Sequence, residues 1–245
     1  MSRTVLVTGA GTGIGRATAL TFAEQGARVV IVGRRAEPLA EVSGHGPDIH
    51  PIAADITEPD APRRIVEETV ERFGGLDVLV NNAGIVRSGR MGEITPEAVS
   101  AQLATNFVAP VLLTQAAVPH LRRDNGVVVN VSTAVGQRGW PSNSVYAGTK
   151  AAVDTFTRSW AVELAPLGIR VVAVAPGAID TPIGEHQGLS AEQLAATRAW
   201  QMEHTPLKRV GDAEEVAWAI AGLASPNAGF VTGVVLPVDG GAVVS

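Results

Sequence analysis

Short apolar runs and longer amphipathic stretches alternate along this chain, and the alternation predicts its architecture. Thr4–Val7 is apolar and β-branched and ends in a glycine-rich turn. Beyond the turn, Ile14, Ala17 and Leu20 mark one face of a helix reaching about Gln25. Arg28–Val32 reads as a second strand, followed by a helix from about Ala36. Ile49–Ala53 and Asp77–Val80 read as strands three and four, flanking an amphipathic helix at Ala61–Phe73. A long helix is predicted over Pro96–Leu121, strand five over Gly126–Val131, and another long helix over Asn143–Leu164. Ile169–Ala175 gives strand six, Ala213–Ala224 a helix, and Val234–Val238 a last strand. The strands are near-continuous apolar runs and do not alternate, as expected where helices cover both faces of a sheet. The pattern predicts an α/β fold with a doubly wound, mostly parallel sheet.

No linker divides the chain, so a single domain over residues 1–245 is expected. The least regular region is Pro176–Gly211, where Pro, Gly, His and Thr interrupt a short helical stretch near Ala191–Met202. It follows a strand and so belongs at the carboxyl edge of the sheet, where ligands bind in such folds. A loop of that length inside a compact domain is usually functional. Residues 177–211 are therefore expected to form a substrate lid.

Composition narrows the function classes. With 245 residues, 46% apolar and 18% charged, the chain can bury a large core and is globular. A net charge of −5 and the lack of a basic run argue against a nucleic-acid partner. The absence of cysteine excludes disulfides, thiol catalysis and Cys-ligated zinc, and fits a reducing compartment. The opening Met1–Thr4 is no apolar signal core, and no apolar run reads as the roughly 18–20 residues of a membrane span. The expectation is a cytoplasmic protein with no membrane partner. His186 and His204 lie in the lid without a second ligand at metal spacing, so no metal site is expected.

The chemistry concentrates at Tyr146 and Lys150. At i and i+4 they share one helix face, with the hydroxyl pair Ser132–Thr133 upstream. A free phenol titrates near about 10; a fixed ammonium nearby favours the phenolate, and a cationic nicotinamide ring would favour it further. The turn Thr8-Gly9-Ala10-Gly11-Thr12-Gly13-Ile14-Gly15 stands between a strand and a helix start, the context of a dinucleotide site. Its Gly-x-x-x-Gly-x-Gly spacing departs from the usual G-x-G-x-x-G. Small residues there let backbone N–H groups approach a pyrophosphate at a positive helix end.

Thr8–Gly15, Asn81-Asn82-Ala83-Gly84, Tyr146-x-x-x-Lys150, Pro176-Gly177 with Thr181, and Asp239-Gly240-Gly241 occur in that order. This set resembles the short-chain dehydrogenase/reductase family, single-domain and Rossmann-like, in its 3-oxoacyl-carrier-protein reductase-like branch, and covers the chain from Thr4 to Gly241. The resemblance implies that Tyr146 gives the proton to a carbonyl oxygen while Lys150 holds the nicotinamide ribose and lowers the Tyr146 pKa. It implies that Asn106 supports a water chain to the lysine, and that Gly9, Gly11, Thr12, Gly13, Ile14 and Gly15 cradle the nucleotide. Asn82 and Gly84 would brace the central strand and approach the adenosine ribose. Asp55 would meet the adenine amino group, Ile179 and Thr181 would hold the nicotinamide carboxamide, and Ile56, Ala83, Pro176 and Gly177 would also belong to the cofactor site. Relatives of this type imply a homotetramer.

The family's substrate-orienting serine lies thirteen residues before the tyrosine, which lands here on Thr133, with Ser132 just before it. Alternate strand residues point to opposite faces, so both cannot serve. Register selects Thr133; a shift of one residue would select Ser132. Trp140 and Trp200 could line an apolar substrate pocket or simply pack. After strand two stands Gly33-Arg34-Arg35 with no acid, which favours NADP(H), since an arginine pairs with a 2′-phosphate that a carboxylate repels. NAD(H) stays possible if Arg34 and Arg35 are only solvated helix-start charges. The expected function is hydride transfer between NADP(H) and a small carbonyl or secondary alcohol. Its rivals are an NADPH-binding regulatory protein without turnover and a related nucleotide-dependent dehydratase or epimerase.

Overall fold

The apolar runs assemble into one sheet in the computed structural model, which describes residues 2–121, 126–137, 141–186 and 190–244. Its strands are β1 (Thr4–Thr8), β2 (Arg28–Gly33), β3 (Ile49–Ala53), β4 (Val78–Asn81), β5 (Val127–Val131), β6 (Arg170–Pro176) and β7 (Val235–Val238). They lie in the order β3-β2-β1-β4-β5-β6-β7, and every neighbouring pair is parallel. The expected doubly wound α/β sheet is therefore observed.

The helices are α1 (Gly13–Glu24), α2 (Ala36–Ser43), α3 (Ala61–Phe73), α4 (Pro96–Leu103), α5 (Ala109–Leu121), α6 (Ser144–Leu164), α7 (Ile183–His186), α8 (Ala191–Glu203) and α9 (Ala213–Ala224). Strand pleating divides the core between the two sides of the sheet. Val5 and Val7 of β1 pack with Phe22, Val216 and Ile220 on the side of α1 and α9. Leu6, between them, packs with Ile65, Leu113 and Leu121 on the side of α3 and α5.

The predicted helix Pro96–Leu121 departs from expectation in two ways. A π-turn at Ala104–Val108 interrupts it; the wider turn inserts an extra residue, a device common at functional sites, and it leaves Asn106 fully buried. Taken as one rod of 26 residues, this helix is also long and apolar enough to cross a bilayer, which the sequence reading denied. Its inward face, including Gln102, Asn106, Leu113 and Thr114, is buried in the protein core.

Strand order reverses between β1 and β4, so their connections leave on opposite sides and open a crevice at the carboxyl ends. In the lid, α8 matches the expected stretch to within a residue and is closed by a Ser190–Gln193 capping box. It carries no fully buried residue, so it rests on the body of the protein and is no part of its core. The one-turn α7 was not anticipated.

Candidate active site

The crevice is built first by the ends of β1 and β4. The Thr8 hydroxyl donates to Val80 O at 3.2 Å and accepts from the backbone N–H groups of Asn82 and Ala83, each at 3.1 Å. Asn82 Nδ2 donates to Thr8 O at 2.8 Å and Gly9 O at 3.3 Å. That clamp leaves no room for side chains in the turn: a Cβ on Gly15 would meet Gly9 O at 2.3 Å and Asn82 Nδ2 at 2.5 Å. Gly9 and Gly13 also take φ of +66° and +53°, which glycine adopts without strain. Helix α1 starts at this turn with no side-chain cap on Thr12 and no acid in its first turn. Its free N–H groups and positive end are thus available to an anion.

A cleft of about 1350 Å³ runs from this turn across the sheet edge to α8. Gly9, Thr12, Gly13, Ile14, Gly15, Asn82, Ala83, Gly84, Thr133, Tyr146, Lys150, Pro176, Gly177, Ile179 and Thr181 all line it. Thr181 reaches across to the glycine turn, its Cγ2 3.1 Å from where a Gly13 Cβ would lie. Gly177 has a second reason to be glycine, since a Cβ there would stand 2.7 Å from Asp239 Cα. Gly11, Arg34, Arg35, Asp55 and Ile56 lie outside this lining. Arg34 and Asp55 follow the paired ends of β2 and β3, and Arg34 Nη1 stands 4.0 Å from Asp55 Oδ2. Desolvation would raise the Asp55 pKa, but two bonds from Thr57 and the Arg34 charge together hold it below the usual value. Trp140 lies outside the described residues.

The two hydroxyls at the end of β5 diverge. Thr133 Oγ1 donates to Pro176 O at 3.4 Å and accepts from Val135 N at 3.3 Å, and its hydroxyl acts to lower the Tyr146 pKa. Ser132 Oγ instead donates to Lys150 O at 3.2 Å. The Lys150 side chain is buried, and its Nζ donates to Val131 O at 2.7 Å. Burial brings that ammonium down to about 8, against the opposing pull of Asp154.

Burial also pushes the Tyr146 phenol above its usual range, and the influence of the Thr133 hydroxyl only partly offsets the rise. Sequence reasoning expected Lys150 to acidify this phenol. Within the protein alone the shift has the opposite sign, because desolvation dominates and the ammonium is directed at Val131 O.

Asn106 sits where the π-turn brings it against the loop after β4. Its Oδ1 accepts from Ile85 N at 2.9 Å, and its Nδ2 donates to Ile85 O at 2.9 Å and Thr149 Oγ1 at 3.2 Å. Between Asn106 and Lys150 stands Gly84: a Cβ there would lie 3.4 Å from both Asn106 Oδ1 and Lys150 Nζ.

A family model described as "Enoyl-(Acyl carrier protein) reductase" matches residues 9–243. The 3-oxoacyl-[acyl-carrier-protein] reductase of Thermotoga maritima is 41% identical over 244 residues, covering 98% of this chain and 97% of that protein. The glucose 1-dehydrogenase of Gluconobacter oxydans is 41% identical over 245 residues, covering 97% of this chain and 90% of that one. The crystal structure of 3-ketoacyl-(acyl-carrier-protein) reductase from Brucella melitensis, complexed with NADH, superposes with a TM-score of 0.91 at 34% identity, covering 98% of each chain. The chain belongs to the short-chain dehydrogenase/reductase family. It is an oxidoreductase of the hydride-transfer kind.

Sequence reasoning missed several residues that build this dehydrogenase/reductase site. Buried Gln102 accepts from Arg87 N at 3.1 Å and donates to Arg87 O at 3.3 Å, fixing the loop that carries Ser88 into the cleft. Asn81 Nδ2 bonds Asn130 Oδ1 and Thr114 Oγ1, and Asn130 Nδ2 bonds Thr157 Oγ1, so a polar ladder crosses β4 and β5 beneath the cleft. An asparagine inside each otherwise apolar strand was the available signal. In the lid, the unforeseen Arg198 forms a fork onto Asp180 at 3.2 and 3.3 Å, whereas Trp200, expected to line a pocket or pack, does both, lining the cleft and stacking on His204 with ring centroids 4.1 Å apart.

Proposed function

We propose that this protein reduces a small carbonyl compound to a secondary alcohol with NADPH, through Tyr146, Thr133, Lys150 and Asn106. The observation that carries the reading is the meeting of Thr133 and Tyr146 in one cleft, above a buried Lys150 and beside an uncapped helix start packed against glycines. The cradle fits a dinucleotide: Gly9, Gly13 and Gly15 would let its pyrophosphate reach the α1 N–H groups. Thr181 and Ile179 would face the nicotinamide end. A reduced nicotinamide supplies the hydride when bound.

The protein's own residues do the rest. The Thr133 hydroxyl and the Tyr146 phenol donate to the substrate oxygen and stabilise the charge that develops there. Tyr146 then releases its proton to that oxygen, a step worth typically ~10²–10⁴-fold. A phenol raised by burial is held protonated, the form a reduction requires. Lys150 supplies the positive charge beneath the phenol and a proton donor behind it. Asn106 fixes the Gly84–Ile85 backbone beside that ammonium.

The preference for NADP(H) over NAD(H) rests on Arg34 and Arg35 after β2 and on the absence of an acid there. Arg34 is well exposed and turned to the carboxyl edge of the sheet, where a 2′-phosphate would displace Asp55 from it. We also read the assembly as a homotetramer. Leu103, Val108 and Leu112 are exposed along α4, the π-turn and α5, and Trp218, Phe230 and Val231 are exposed on α9 and in the segment before β7. Apolar groups exposed in both regions suit two kinds of subunit contact, and light scattering tests it.

The functional test is a nucleotide titration followed by a panel of ketones, monitored in the nicotinamide absorbance band. NADPH oxidation that is lost in Tyr146→Phe, with NADPH binding within a few fold of the parent, supports the reading. Turnover retained in that variant overturns it. Loss of substrate without a change in nicotinamide absorbance would assign a dehydration or epimerisation instead.

A further inference from the structure

Tyr146, Lys150, Asp154 and Arg158 recur every four residues along α6. That spacing keeps successive side chains adjacent while turning them about 40° per step around the helix. The line therefore leaves the cleft for solvent: Lys150 is buried, Asp154 half-buried and Arg158 exposed. Asp154 is the acid of this line. Its Oδ1 is shielded from solvent and has no hydrogen-bond partner among the described residues. The Ser132 hydroxyl, which donates to Lys150 O at 3.2 Å, acts only to hold the Asp154 pKa from rising further.

An unpaired, desolvated carboxylate oxygen is costly. A neutral side chain of the same shape would fill the place at lower cost, so what Asp154 adds is its charge. Among the described residues, the groups that face Lys150 from other elements are neutral: Val131 O and Ser132 at the end of β5, and Asn106 in the π-turn. On α6 itself the flanking titratable groups are Tyr146 and Arg158.

We propose that Asp154 is a positioning residue whose negative charge holds Lys150 in the ammonium form inside its buried seat, and so sets the alkaline limit of carbonyl reduction. The inference rests on the reading of Lys150 as the cation beneath the reacting phenol. The titration behaviour agrees with it. Burial brings Lys150 down to about 8 while Asp154 works to raise it. Asp154 is itself raised by burial, with Ser132, Arg158 and Lys150 opposing.

The test is the pH profile of kcat/KM for Asp154→Asn and Asp154→Glu against the parent, in the full-length protein with NADPH. Asparagine keeps the shape and removes the charge. Its alkaline limb should move down by about one pH unit, a loss of about eightfold near pH 8.5 and less than twofold near pH 6.5. Glutamate should restore the limb. An unmoved limb in Asp154→Asn, or an equal loss at every pH, would overturn the proposal.

A second readout needs no turnover. The chain contains two lysines, Lys150 and Lys208, so isotope-labelled lysine gives two signals, and Lys208→Arg assigns them. The Lys150 midpoint should fall in Asp154→Asn; a midpoint that stays put sinks the inference. If the parent reduces no carbonyl at any pH, the functional reading fails, while this titration still decides the role of Asp154.

Discussion

Asn106 grips both polar backbone groups of Ile85, accepting from its N–H and donating to its carbonyl, each at 2.9 Å. A buried amide thus stands in for a strand partner at the point where β4 gives way to loop, and Gly84 is held beside Lys150. Asn106→Ala would strand both Ile85 groups. Stability should fall by about 2–4 kcal/mol, measured by urea unfolding, and turnover should fall further than nucleotide binding.

Thr133 and Tyr146 share the substrate oxygen in the proposed reaction. Thr133→Val preserves shape and removes the donor, so kcat should drop about 10²-fold with KM changed little. Thr133→Ser keeps the oxygen and should retain most of the rate. If valine and serine behave alike, the hydroxyl has no part in the chemistry.

Tyr146 is the chain's single tyrosine, which makes its phenol directly observable by ultraviolet absorbance. The phenolate band should appear only above the free-tyrosine midpoint of about 10, because burial disfavours the charged form. Adding oxidised nucleotide, with its cationic ring, should lower that midpoint. A midpoint already below 10 in the protein alone would contradict the burial argument.

Lys150 titrates at about 8 in the fold against 10.5 when free. The unfolded chain therefore binds this proton more tightly between those values. Stability from this group is present above about 10.5 and is lost as pH falls through about 8. At neutral pH the buried ammonium is a net cost. Lys150→Met should raise the melting temperature near pH 7, by roughly 2–4 °C per kcal/mol gained, while ending turnover. An unchanged or lower Tm in a well-folded variant would count against that cost.

The glycine turn offers a matched pair. Gly15→Ala drives a methyl into Gly9 O and Asn82 Nδ2, so nucleotide binding should be lost together with several kcal/mol of stability. Gly222 lies in α9, where an added Cβ meets nothing within 4 Å. Gly222→Ala should be neutral or stabilising by up to about 1 kcal/mol. Thermal melts of the two variants separate the effects.

Much of this was legible because the sheet is buried on both faces, so Val29–Val32 and Val171–Ala175 read as strands from apolarity alone. The glycine turn and the Tyr146–Lys150 spacing likewise survive as sequence patterns. The π-turn around Asn106 was not legible, since it is a backbone excursion that leaves no mark in the apolar periodicity. Neither was the sign of the Tyr146 shift: a four-residue spacing gives proximity to Lys150, but desolvation and the aim of Nζ at Val131 O depend on tertiary packing. Ser132 and Thr133 could be told apart only by their partners, Lys150 O on one side and Pro176 O on the other.

The first strand meets β4 through Val5 and Val78, more than seventy residues further along, and the cleft draws its walls from Gly9 to Val210. A polypeptide emerging from the ribosome can pair β1 with β2 early, yet the opposite margin of β1 must wait for β4 to arrive. Until then an apolar edge lies bare and no nucleotide can brace it. Biogenesis of this protein is therefore most exposed to misassociation midway through synthesis, before its binding site exists to help.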